Sequence, residues 1–478
     1  MVNRSLTLLI GCALVSGCFH AQFNTKAETP AVINNANLEQ KVDGYVQKFL
    51  DLDIFSGVVL VSKNDSILYH KAFGLANREE GVKNTPDTKF LIGSMNKSFT
   101  RVIILQLIAE GKLDWEDLMV EYLDGFGQPD AGKITIRHLV EHESGFGDYE
   151  SREFVKRPQD EKQLSNIVDL ARDMQLFFPP GERREYSNTG YVLLGAIIEQ
   201  LSGKGFIQNV DERIIRELGL QHTYISNTLN RTDRAKGYML TVAGIENTDW
   251  VLSEPRPDGG FWCTSTDINT FYRHFYNGDK LIPASVRYSD KYFQWISNIP
   301  EINDRAVGQA GGTNGHNSSY LLRLRDGLSI LVLANMDEPV AENLSKGIFR
   351  IVNGEEAENP QLPALLNTYK TYQTKGVAYL KENFAAVTNN FHPSDTRDLI
   401  LNNLGYRLME LGKINDALEL LKLNTQLFPG IANCWDSYGA ALAIQGKRKE
   451  AIMAYEKALK IKPDLLSARK AIQELQKS

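Results

Sequence analysis

Four cysteines in 478 residues, at positions 12, 18, 263 and 434, leave the body of this chain almost without thiol chemistry. No C-x-x-C or H-E-x-x-H spacing occurs, so no metal centre is expected. Cys263 and Cys434 fall in segments of contrasting composition, which argues against a structural disulfide. No polybasic cluster is present. With 53 basic against 59 acidic residues and a net charge of −6, the chain lacks the positive face that nucleic-acid phosphates require. Beyond the N-terminus no apolar run reaches the roughly 20 residues of a membrane-spanning helix. What remains is ordinary globular composition, 42% hydrophobic and 23% charged, on a chain long enough for more than one core.

The N-terminus reads as an export signal over residues 1–18. Arg4 supplies its positive end, residues 6–15 a short apolar stretch, and small residues follow. Val15-Ser16-Gly17-Cys18 resembles a bacterial lipobox, which makes Cys18 a lipidation site and a point of membrane attachment. Cleavage after Ala21 is the rival reading, weakened by the bulk of Phe19. Either reading implies an exported protein of the periplasm or cell envelope. Residues 19–38, polar over 23–37, form a flexible tether.

Two hairpin patterns bracket the next segment. Gly57-Val58-Val59-Leu60-Val61 and Ile67-Leu68-Tyr69-His70 flank a Lys-Asn-Asp turn. Near the other end, Tyr320-Leu321-Leu322 and Ile330-Leu331-Val332-Leu333 flank Arg325-Asp326-Gly327. Helical patterns dominate between them, as at residues 99–110 and 191–202. Strands at both ends with helices between imply an α+β domain, residues 39–355, whose sheet is completed when the chain returns. Residues 356–396 read as a helical linker or cap. Over 397–478 the chain is helical, with a period of 34: Gly405 matches Gly439, Gly412 matches Gly446, Ala417 matches Ala451 and Pro429 matches Pro463. That period with small residues at those places is a tetratricopeptide signature, and such arrays recruit protein partners on a concave face. Two repeats are few, so the helices over 365–387 should cap them, or the array should pack on the preceding domain.

The chemistry concentrates in two short elements. Ser94-Met95-Asn96-Lys97 opens the apolar run of residues 99–107, and Tyr186-Ser187-Asn188 precedes that of 191–198. A serine hydroxyl needs a base within hydrogen-bond reach, and a lysine one helical turn away, held among apolar neighbours, can serve while neutral. At a helix start the Ser94 amide also faces a developing oxyanion. Tyr186 can accept a proton or pass one to a leaving group, while Asn188 can hold a substrate amide or anchor Lys97. A second S-x-x-K, Ser467 to Lys470, sits on a repeat helix and reads as a solvated face. His138 and His142 read as partners of local backbone groups.

Residues from about 40 to 350 resemble the serine β-lactamase and penicillin-binding-protein superfamily, nearest its class C members and their esterase and D-aminopeptidase relatives. Besides the two elements above, Ile134 through Val140 with His142, Ser144 and Gly145, and Gly259-Gly260-Phe261 with Thr264 and Asp267, carry the likeness. The resemblance implies catalysis by Ser94, Lys97 and Tyr186, with Asn188 as a positioning residue and no cofactor. It also implies a third motif, Lys-Thr-Gly or His-x-Gly, on a strand lining the site. Gln309-Ala310-Gly311, followed by Gly312, is the best match, and His316 the alternative. On the first alignment a neutral amide replaces the usual cation, and the Gly312 amide becomes the second oxyanion donor. The expected activity is therefore hydrolysis of a small-molecule or peptide ester or amide through a Ser94 acyl-enzyme, with weak or absent β-lactam turnover. The alternative is a retired module that senses or binds partners through its repeats.

Overall fold

The computed structural model describes residues 35–64, 66–298, 306–337, 339–389 and 396–477. The expected signal, the lipidation site Cys18 and most of the tether lie outside the described residues. The chain divides into two compact units. One spans the described residues to Asn359 except Leu240–Ile245; the other takes that segment together with the described residues from Pro360 onward.

In the first unit, helix α1 (Asn35–Leu50) leads into β1 (Gly57–Lys63) and β2 (Ser66–Phe73). Helices α2 (Lys97–Ala109), α3 (Asn188–Ser202) and α4 (Ser265–Tyr276) come from the long middle segment. The chain then returns as β3 (Ala306–Thr313), β4 (His316–Arg323), β5 (Leu328–Ala334) and α5 (Val340–Val352). The strands form one antiparallel sheet in the order β3-β4-β5-β1-β2. Gly57 stands opposite Ala334 and Lys63 opposite Leu328, so the first and last strands close the sheet as the two hairpin patterns imply. β1 and β5 are buried along almost their whole length, which is why both read as unbroken apolar runs.

Successive side chains of a strand face opposite sides of its sheet, and β4 shows what covers each. Ser319 hydrogen-bonds Ser345 of α5 at 2.7 Å, while Tyr320 stacks on Tyr272 of α4 at 4.8 Å between ring centroids. α4 in turn carries Phe271, whose ring lies 3.7 Å from that of Phe99 in α2. The sheet thus holds α4, and α4 holds the helix that begins at Lys97.

β4 starts earlier than its apolar residues indicate, at His316, and β3 forms the sheet edge beside it. β3 contains three glycines and two alanines, a composition with little strand propensity of its own.

The second unit is helical, with two helical stretches within Ala364–Val387 that meet at Gly376 (φ +79°), then helices at Arg397–Glu410, Ile414–Leu427, Ala432–Ile444, Arg448–Ile461 and Leu466–Lys477. A Cβ at Gly405 would stand 2.5 Å from Leu421, and one at Gly439 3.0 Å from the Tyr455 ring, so both glycines permit close approach of neighbouring helices. Tyr369, ahead of that break, and Leu380 and Phe384, after it, share the core of Leu401, Leu404 and Leu421. Among the described residues no helix is long and apolar enough to cross a membrane.

Candidate active site

Ser94 stands on a tight turn between sheet and helix. The strand Phe90–Leu91 ends at Ile92, and Gly93 takes φ +53°, a conformation that glycine adopts without strain. Residues Gly93–Asn96 form one 3-10 turn, and α2 proper begins at Lys97. Ser94 therefore precedes the α-helix rather than opening it, and the tighter turn brings the two side chains together: Lys97 Nζ donates to Ser94 Oγ at 3.1 Å. Both residues are almost fully buried, at 7% and 5% exposure.

The turn is pressed against β3. A Cβ on Gly311 would fall 2.2 Å from the Ile92 carbonyl oxygen and 2.6 Å from the Ser94 nitrogen; a Cβ on Gly93 would fall 2.4 Å from the Gly312 nitrogen. Only glycine fits at these contacts, and the backbone amides of Ser94 and Gly312 are thereby neighbours. Ser318 of β4 locks the approach: its hydroxyl lies 2.8 Å from the Ile92 carbonyl oxygen and 3.1 Å from that of Gly311, with its one proton shared between them.

Tyr186 and Asn188 arrive from the start of α3. Tyr186 OH lies 2.7 Å from Ser94 Oγ and donates to Asn188 Oδ1 at 3.2 Å. Lys97 Nζ donates to Asn188 Oδ1 at 2.6 Å and to the Asp258 carbonyl at 2.7 Å. With Ser94 Oγ these acceptors use all three ammonium protons. While Lys97 is charged, the Ser94 proton is therefore directed to Tyr186, and the Tyr186 proton to Asn188.

Burial lowers the Lys97 pKa to about 8, against the opposing pull of Asp258, Asp148 and Glu150. Burial also holds the Tyr186 phenol well above its usual range. His142, whose ring packs on that of Tyr186, is pushed well below its usual range by burial and then by the Lys97 charge. Near neutral pH both rings are uncharged, and Lys97 is the group among these three whose proton is in play.

The structure brings together Ser94, Lys97, Tyr186, Asn188, Gly311 and Gly312. Gln309, half-buried on β3, donates to Tyr292 OH at 3.1 Å. His316 is fully buried, packs edge-on against Trp262 and has its pKa lowered to about 3 by burial; it belongs to the core. His138 and His142 each accept a backbone N–H, from Thr135 and Ser187. Ser467 and Lys470 are exposed on their helix, and Ser467 donates to Asp436.

Two contributors, Asp258 and Asp148, carried no signal of their own. Asp258 acts through its main-chain carbonyl, which no side-chain pattern reveals. That carbonyl is aimed by Asn96, which holds the Arg256 carbonyl at 3.0 Å, and by Thr100, which donates to the Pro257 carbonyl at 2.6 Å. Asp148 accepts from the Asn188 amide at 2.7 Å. Asp258 directly precedes Gly259-Gly260, and Asp148 follows Gly145 by three residues, so both neighbour elements already visible in the sequence.

The profile of the Beta-lactamase family matches residues 38–351. Penicillin-binding protein 4* of Bacillus subtilis (strain 168) is 30% identical over 342 residues, covering 65% of this chain and 75% of its own length. The octameric penicillin-binding protein homologue from Pyrococcus abyssi superposes with a TM-score of 0.59 at 22% identity, over 70% of this chain and 81% of its own. A D-stereospecific amidohydrolase from Streptomyces sp. gives 0.52 at 22% identity, over 66% and 98%. At those identities the two structural likenesses speak to the fold.

Proposed function

The chain belongs to the β-lactamase family, and from that premise we propose that it is a serine hydrolase that forms an acyl-enzyme on Ser94. The observation that carries this reading is the continuous hydrogen-bond set joining Ser94 to Lys97, Tyr186 and Asn188. Neutral Lys97, or the Lys97–Tyr186 pair, takes the Ser94 proton as Oγ attacks the acyl carbon. The Ser94 and Gly312 amides hold the oxyanion, and Tyr186 returns a proton to the departing group. Water then attacks the ester so formed by the same route in reverse.

The favoured substrates are neutral esters or amides rather than β-lactams. Gln309 places an uncharged amide where the family resemblance puts a cation. The guanidinium groups beside the machinery are already engaged, Arg101 by Asp290 and Glu141, Arg256 by Glu150 and Asp258. An exposed Phe177 ring lying over Gly147 adds an apolar surface next to Asp148. The Streptomyces amidohydrolase is a precedent within the fold for amide substrates.

The second unit, in this reading, is a tetratricopeptide pair that engages a protein partner, and the whole is an exported lipoprotein anchored through Cys18. A panel of acyl esters, D-amino acid amides and a chromogenic β-lactam, run on wild type and Ser94→Ala, tests the enzymatic proposal. Ester or amide turnover lost in Ser94→Ala supports it. A broad fluorophosphonate and penicillin panel that leaves no adduct on Ser94 by mass spectrometry sinks it, and favours the retired binding module.

A further inference from the structure

Asn188 serves Lys97 and Tyr186 with one atom. Its Oδ1 accepts from both, at 2.6 and 3.2 Å, which works only if the amide oxygen and not the nitrogen faces them. A primary amide can be turned end for end with little change of shape, so something must choose the orientation. Asp148 Oδ2 accepts from Asn188 Nδ2 at 2.7 Å and from the Asn188 backbone N–H at 3.4 Å. Its other oxygen accepts the Glu150 N–H at 3.0 Å. Burial pulls the Asp148 pKa up, opposed by these N–H groups and by Lys97; as the carboxylate it has no proton to give, so the nitrogen end of Asn188 faces it.

We infer that Asp148 is a positioning residue of this site, holding the Asn188 amide with its oxygen toward Lys97 and Tyr186. With Asp148 removed, the amide is free to turn, presenting N–H groups to an ammonium and a phenol that also need acceptors. Asp148 has a second consequence through its charge. The groups facing Lys97 are Asp148 and Glu150 from one loop, Arg256 and Asp258 from another, and the uncharged rings of His142, Tyr186 and Tyr191. Of these, Asp258, Asp148 and Glu150 favour the ammonium and Arg256 opposes it. Losing the Asp148 charge therefore makes Lys97 easier to deprotonate.

This inference rests on Ser94 being the nucleophile, and the experiment separates the two. The rate of Ser94 labelling by a fluorophosphonate is measured across pH for wild type, Asp148→Ala, Asp148→Asn and Asp148→Glu, with thermal melting of each. In Asp148→Ala the rate should fall about tenfold to a hundredfold, as expected when reacting groups lose their alignment. Asp148→Asn removes the charge but keeps an acceptor, so its loss should be smaller and its pH midpoint should move about half a unit toward acid. Asp148→Glu should restore the wild-type midpoint. Should Asp148→Ala fail to fold, the isosteric Asp148→Asn carries the test. Folded variants that label within twofold of wild type, with superimposable pH profiles, overturn the role of Asp148. Absence of labelling in wild type overturns the Ser94 reading instead.

Discussion

At the scale of the residue, the proposed acylation turns on the proton of Lys97. Its pKa is lowered to about 8, so below that pH it is an ammonium that donates to Ser94 and cannot accept from it. Turnover of a simple ester should therefore rise with pH through about 8, read as kcat/KM against pH. Lys97→Arg, which keeps a charge that never titrates in this range, should abolish that limb and the activity with it. Ser94→Ala should lower turnover by at least about a thousandfold, since removing the nucleophile of such a unit leaves only binding and oxyanion stabilisation. Gln309→Lys tests specificity: a restored cation should raise acylation by penicillin relative to ester by about tenfold or more, the worth of one charge-assisted hydrogen bond. Mass-spectrometric titration of the Ser94 adduct measures it. These candidates could be picked out in the sequence because each carries a side chain of distinctive chemistry at a motif spacing. Asp258 was not, because what it offers is a carbonyl that every residue possesses.

At the scale of the element, the site is a contact between backbones. The Gly93–Asn96 turn and β3 meet so closely that no Cβ fits at Gly311. Gly311→Ala should therefore push β3 off the turn, destabilise the first unit by about 1–3 kcal/mol as overpacking does, and separate the two amides proposed to hold the oxyanion. The expected readout is a lower melting temperature together with loss of Ser94 labelling. β3 was the least legible strand for the same reason. Its glycines and alanines answer to the close approach of another segment and not to strand propensity. β1 and β5 were plain, because burial on both faces writes itself into the sequence as apolar runs. The turn at Ser94 is a comparable case. The helical pattern marks α2 correctly, but the 3-10 geometry ahead of it is imposed by Gly93 and by contact with β3.

At the scale of the whole molecule, each unit has its own hydrophobic core, one built around Phe99, Phe261 and Phe271, the other around Leu401, Leu404 and Leu421. A chain ending at Asn359 should accordingly keep Ser94 labelling within a few-fold of full length, while residues 360–478 alone should show a helical circular dichroism spectrum. Pull-down with that second fragment addresses the proposed partner. By itself the sequence determined the α+β class, the strands at both ends with helices between, the helical C-terminal region and the candidates Ser94, Lys97, Tyr186 and Asn188. Those follow from periodicity, turn chemistry and motif spacing, which are local. Only the tertiary structure decided that Lys97 is surrounded by three acceptors, that the Gly312 amide stands beside that of Ser94, and that Asp148 orients Asn188. Those depend on segments at least 40 residues apart, or on backbone atoms common to all residues, and distance in space is set by packing rather than by local pattern.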